Sequence, residues 1–588
     1  MINSLSCSKL SLAMDFNNYF TSMKSTLLLV FIAGYQLMLF GQVSVSHPVR
    51  YDKSPEFIGM QSYESLYQNA IGSDTKAITN GKSASVEQTQ MGTQPAPLLL
   101  VSFDGLGEGF EGPQGTSLFR NPSDNSLAVG PDHIVQTVNS RMAIFTKKGS
   151  KYDSTGEILY GPVETNNIFR GFGGPCEKIN NGDAVIRYDQ LADRWLLVMP
   201  LFRRAEPGIN GHTGPAELLY QPPALSPEEA AARNDSLRQS YRGQRPAEGQ
   251  YGMCYAVSTR PDPMGSWYRY EYTRDLFPDY PRPAVWPDGY YTPTSTGDNV
   301  IQKHVAVVDR NKMLKGEDAT EQIIIIDSVN FLNTSDLVGK QLPPEGAPNI
   351  IMATGGSQLN GIISDNGIYV WKYHVDWKDP SKSNLEGPVK IDVAPYEYLG
   401  GGQLTEAVPQ AGVERRLDAQ GDKIMANLLY RRIGDQQSLV AVHSVATKAG
   451  GGGVRWYEFR LDQKGEVELY QQRTYAPDIN FRWMASPAMD ALGNIGIGYS
   501  FGGAEHFPGQ RFAGRLAGDM RGLLTMKEVV LVEGQSAQTN TNRWEDYTQT
   551  AMDPDDDLTI WYVGDYLKDG AKGYSTRIGA FRLQSREK

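Results

Sequence analysis

"RWEDYTQTAMDPDDDLTIWY", Arg543 to Tyr562, joins a charged and aromatic lead-in, a run of small residues, an acidic turn and an aromatic stretch. Its shape returns in "RWMASPAMDALGNIGIGYS", Arg482 to Ser500, without the acids of the lead-in. A phrase used twice points to architecture before chemistry. The core of the phrase recurs in "LAVGPDHIVQTVN" from Leu127, "DAVIRYDQLADRWLLV" from Asp183 and "PAVWPDGYYTPTS" from Pro283, alongside "PAMDALGNIGIGYS" from Pro487 and "TAMDPDDDLTIWYV" from Thr550. Each has Ala followed by Val or Met, then a turn with Pro, Asp or Gly, then an apolar or aromatic strand. That is a β-hairpin.

A hairpin cannot bury its apolar face alone, and regular repetition favours small sheets packed radially against one another. The small Ala fits a crowded innermost strand near an axis. Less regular units start at Asn366 ("NGIYVWKYHVDW") and Lys423 ("KIMANLLYRRIGDQQSLVAVHSV"). Counting both, the expected fold class is all-β, a single β-propeller of seven blades with loop insertions; six or eight blades also fit.

Composition agrees with this reading. The 588 residues are 40% hydrophobic and 21% charged, with 61 Gly, 34 Pro and 31 Tyr, a balance tilted toward turns and strands. The net charge of −11, with no basic stretch interleaved with aromatics, argues against nucleic acid as a partner.

"MKSTLLLVFIAGYQLMLFGQ", residues 23–42, has the short basic start, apolar run and small-residue end of a signal peptide. Residues 1–22 resemble no targeting element and read as an upstream mis-start. The apolar run is short for a transmembrane anchor, so no stable membrane span is expected and the protein is read as secreted or periplasmic. Residues 43–97, rich in Ser, Gln, Asn and Gly, predict a poorly ordered arm or linker. The propeller is expected over 98–588, with an inserted flap at 205–250 that carries a short helical pattern capped by Ser226 and Pro227. Cys176 and Cys254 are the two cysteines that follow the signal, and both fall in the same unit, which predicts a disulfide.

The repeated phrases, together with "GMCYAVSTRPDPMGSWYRYEY" and "FPDYPRPAVWPDGYY", resemble a family of secreted, largely uncharacterised bacterial β-propeller proteins, loosely sialidase-like in fold. The resemblance runs from about Val101 to the C-terminus and implies fold and export, with no assigned activity. Its pattern usually reads Arg-Trp-Gly-Asp-Tyr where this chain has Glu545.

A sialidase-type site needs arginines gripping a carboxylate, a Tyr backed by Glu as nucleophile and an Asp as general acid. Arg482, Arg543, Glu545, Asp546 and Tyr547 supply those types, and the two arginines are expected at equivalent positions converging near the axis. The same Arg-Trp pairs can equally bridge blades by stacking and ion pairing. Asp553, Asp555 and Asp557 have the alternation of a calcium loop, making calcium the one cofactor to consider. The position six residues into that loop is not Gly and the twelfth is Gly564 rather than Glu, so a solvated turn is the competing reading. There is no His-Glu-x-x-His, phosphate loop or Gly-x-Ser-x-Gly elbow. The function expected is binding of glycans, peptides or a surface partner through loops and axial channel. The alternative is a glycoside hydrolase or polysaccharide lyase acting in the axial cleft.

Overall fold

A computed structural model describes residues 43–57, 86–117, 119–180, 182–201, 251–274, 278–296, 303–326, 329–355, 366–401 and 406–583. The expected signal peptide, the upstream segment and the flap at 205–250 lie outside the described residues. The described chain is all-β and β-propeller-like, built from curled antiparallel sheets that follow one another in sequence.

Each unit starts at an innermost strand and steps outward through hairpins. Unit 1 starts at Ser126–Val129, unit 2 at Val185–Asp189, unit 3 at Ala284–Val285 and unit 4 at Asn330–Leu337. Units 5, 6 and 7 start at Leu428–Ile433, Phe481–Met489 and Gln549–Met552. Units 4 and 5 share one sheet because their innermost strands pair in parallel, Ser335 opposite Leu428. Elsewhere polar side chains bridge neighbouring innermost strands. Ser126 Oγ donates to Ile186 O (3.3 Å), Val285 N to Asp336 Oδ1 (2.8 Å) and Thr548 Oγ1 to Met484 O (3.0 Å). Gln549 Nε2 donates to Leu127 O (2.7 Å), joining the last unit to the first. Between units, Val, Ile, Leu and aromatic side chains fill apolar layers, such as Trp195 with Ile144 and Val135, all fully buried. That packing of pleated faces is what β-branched and aromatic residues favour.

The outermost strand of unit 7 comes from the other end of the sequence. Leu98–Gly107 pairs antiparallel with Ser575–Arg582, so the start of the fold completes its last sheet. The stretch expected to be a poorly ordered arm is also partly strand. Ser44–Ser46 pairs with the edge of unit 3, Arg50–Lys53 with the edge of unit 2, and Glu87–Gln88 with the edge of unit 5. Its polar composition misled because an added edge strand takes its stability from main-chain hydrogen bonds and needs few apolar side chains. Phe57 shows the apolar minimum: it is buried against Tyr160, ring centroids 4.7 Å apart.

The run at Asn366 does not start a unit of its own. Gly367–His374 is the third strand of unit 4, whose innermost strand is the polar stretch "NFLNTSDL". The disulfide is present: Cys176, in the short helix Gly174–Lys178, bonds Cys254 on the third strand of unit 2.

Candidate functional site

In six of the units a residue with left-handed backbone leads into, or lies within, the innermost strand. They are Asp124 (φ 51°), Tyr280 (φ 51°), Phe331 (φ 50°), Gln420 (φ 44°), Met484 (φ 46°) and the Glu545-Asp546 pair (φ 55° and 67°). None is Gly, so each kink carries a steric cost that its surroundings must offset. Hairpin alternation puts all these lead-ins at one end of the axis, here called the mouth.

They converge there. Tyr280 packs against Phe331 and Tyr547, with ring centroids 5.0 and 5.9 Å apart. Gln420 Nε2 donates to Tyr280 OH (3.1 Å) and Asp546 Oδ1 (3.2 Å), and Tyr280 OH reaches Asp546 Oδ2 at 3.5 Å. Arg543 pairs with Asp546 from the solvent side, its side chain 31% exposed. Tyr547 OH donates to Asp183 Oδ2 (3.1 Å), and the buried Asp124 accepts from Asn139 Nδ2 (2.6 Å). Burial, then the nearby carboxylates, pushes Asp124 well above the usual carboxylate range, and burial raises Asp183 as well. Asp418, buried beside Asp546, is pushed up to about 6 by burial first. Tyr547 goes well above an ordinary phenol through burial and the Asp183 charge, so it is a hydrogen-bond donor and not a phenolate.

The five residues singled out from sequence separate. Arg543, Asp546 and Tyr547 stand at the mouth. Glu545 turns the other way, between units 6 and 7, accepting from Ser500 Oγ (2.7 Å), Gln510 Nε2 (2.8 Å) and Asp565 N (2.7 Å). Arg482 does not converge with Arg543: it is fully buried, clamped by Glu528 (2.6 and 3.0 Å) and Asp478 (2.9 Å twice). The two phrases remain equivalent in their backbone kinks and in their tryptophans, Trp483 and Trp544, whose rings lie 6.2 Å apart, but not in their arginines.

The acidic turn lies at the opposite axial end and is less exposed than its composition suggests. Lys147 Nζ sits between Asp553 Oδ1 (2.6 Å) and Asp555 Oδ2 (2.9 Å), and Asp557 pairs with Arg431. Asp553 is buried. Lysine and arginine thus fill the place a calcium ion would take, and no group of three or more metal-ligating side chains is arranged for a metal among the described residues.

Asp124, Asp183, Tyr280, Asp418 and Gln420 escaped the sequence reading. A signal existed in the register of the repeat: Asp124, Tyr280 and Met484 each precede the phrase's Ala (Ala128, Ala284, Ala488) by the same four positions. The axial cavity measures about 60 Å³ and is lined by Ala128, Arg187, Asp336, Asn427, Ala488 and Thr550. That is room for a few waters, against roughly 300 Å³ or more for a small-molecule pocket.

No family model and no curated protein matches the chain. Solved structures do. A protein of unknown function from Dyadobacter fermentans is 11% identical over 83% of this chain and all of its own, with a TM-score of 0.33. The polysaccharide lyase Uly1 is 9% identical over 84% of this chain and all of its own, TM-score 0.34. A mutant of the NanB sialidase from Streptococcus pneumoniae is 10% identical over 69% of this chain and 67% of its own, TM-score 0.33.

Proposed function

We propose that residues 98–588 form one seven-bladed propeller, that residues 23–42 are its signal peptide and 1–22 an upstream mis-start, and that the exported protein binds a glycan, peptide or surface partner at its mouth. The count of seven rests on the succession of innermost strands and on the Gln549 bond that joins the last to the first. Export is supported by the Cys176–Cys254 disulfide, which persists in oxidising compartments. No helix among the described residues is long and apolar enough to cross a membrane.

Arg543 carries the binding reading. Its side chain is 31% exposed and is held from behind by the buried Asp546, while its Nε is buried without a partner. The acids and tyrosines beneath it are buried and paired with one another, out of reach of a scissile bond. Leu201 and Tyr251, the described residues on either side of the expected flap, respectively end and begin strands at the mouth. Glycan and peptide arrays probed with the wild type and Arg543→Ala test this: binding lost in the variant is expected, and equal binding by both overturns it.

A second reading, a hydrolase or lyase, draws on the Tyr547–Asp183 contact, which is the residue chemistry of a carboxylate-backed tyrosine. It requires new reducing or unsaturated ends released from a glycan panel, and their loss in Tyr547→Phe and Asp183→Asn.

A further inference from the structure

Far from the mouth, at the seam between units 5 and 6, Tyr470 is sandwiched by two arginines. The Arg460 guanidinium carbon lies 3.3 Å from the ring centroid and that of Arg521 lies 3.9 Å from it. Two groups that close must occupy opposite faces of the ring, which sets the guanidiniums about 7 Å apart. The arrangement is built by the backbone. Pairing between Gly452–Leu461 and Val467–Tyr475 slips between Glu458 and Phe459, leaving Tyr470 as the extra residue of a bulge. Bulges re-aim side chains. The loop that carries Arg521 is pinned to the same strand by Gly522 N donating to Gln471 Oε1 (2.8 Å), and to the N-terminal arm by paired bonds between Gln88 and Leu524 (2.9 Å each).

Arg460, Arg473, Arg515 and Arg521 gather at this seam against Glu458, Glu468 and Asp519, a positive surplus in a chain of net charge −11. Arg521 is exposed and makes no hydrogen bond or ion pair with the described residues. Arg515, 2% exposed, gives Nη2 to Asp519 O (2.8 Å) and Met520 O (3.4 Å), while its Nε is buried without a partner. Arg473 Nε is likewise unpartnered. The nearby carboxylates are mostly engaged: Glu458 accepts from Arg460 Nε (3.0 Å), Ser438 and Gln471, and Asp519 accepts from Gln94, Leu516 N and Thr525. Glu468, opposite Arg460 in register, is the exposed exception.

We propose that this seam is a binding site for a polyanionic glycan, its carboxylate or sulfate groups received by Arg460 and Arg521 with Tyr470 as the spacer. A ring covered on both faces by guanidinium has no face left to stack on a nucleobase or a sugar, so recognition falls to the charged forks. Two forks held at fixed separation suit anionic groups repeated along a chain. The overall negative charge disfavours the dense phosphates of nucleic acid.

Affinity for heparin and for polygalacturonate, with dextran and single-stranded DNA as comparators, tests the proposal on the full chain. The wild type is expected to bind both acidic glycans, more weakly as salt rises, and to ignore dextran. Arg521→Gln, at an exposed position, should keep the melting temperature while weakening binding by about tenfold, and Glu468→Gln should tighten it. Arg543→Ala should leave it unchanged, which separates this site from the mouth. Equal affinity of the wild type and Arg521→Gln, or binding of dextran or DNA as tight as that of the acidic glycans, overturns the proposal.

Discussion

Glu545 adopts a left-handed backbone yet buries its carboxyl among three donors, from Ser500, Gln510 and Asp565. Glycine there would relieve the strain, worth about 1 kcal/mol, but would leave those donors unpaired inside the fold. Glu545→Gly is therefore expected to destabilise by about 2 kcal/mol in urea unfolding, although it would restore the residue more usual in the phrase. Arg482→Ala should cost more, about 3 to 5 kcal/mol, because buried Glu528 would lose its close guanidinium partner and keep only Arg511, 4.0 Å away. Neither role was legible in the sequence. The phrase showed that Glu545 departs from a pattern, but its three partners lie 45, 35 and 20 positions away, and only the fold brings them together.

At the scale of elements, the acidic turn and the disulfide make opposite predictions about small-molecule treatment. Because Lys147 and Arg431 already neutralise Asp553, Asp555 and Asp557, a chelator should leave the melting temperature unchanged; a fall reversed by added calcium would contradict the ion pairs described. The disulfide closes a span of 78 positions, for which the chain-entropy model gives about 4 kcal/mol. Reduction, or Cys254→Ala, should lower stability by up to that amount, read from the urea midpoint with and without reductant. Hairpins with alternating Ala, Val and aromatic residues were legible because one buried face imposes a two-residue period. The innermost strand of unit 4 was not, since its Asn, Thr and Ser are stabilised by neighbours, as when Asn349 Nδ2 donates to Ser335 O (2.9 Å). The edge strands of the arm were silent for a related reason: main-chain pairing leaves no mark in side-chain composition.

Across the whole molecule, carboxyls buried at both axial ends give stability a definite pH dependence. Asp418 and Asp288 are both pushed up to about 6, mainly by burial, against an ordinary value near 3.8. Between those values the folded chain holds protons that the unfolded chain has released. Their stabilising contribution is complete below about pH 4 and is lost as pH rises through 6. The unfolding midpoint should thus be higher at pH 5 than at pH 8, and Asp418→Asn should flatten the difference; an unchanged slope would mean that Asp418 ionises freely in the fold. Removing residues 43–57 should uncover the edges of units 2 and 3 together, seen as faster proteolysis and as association through the bared strands. The pairing of Leu98–Gly107 with Ser575–Arg582 also has a meaning in time. At about 5 to 20 residues per second, the first of these strands leaves the ribosome on the order of half a minute or more before its partner exists. Until then a nascent chain carries an unclosed seam at each end, so its safe passage depends on whatever shields those strands during synthesis and export.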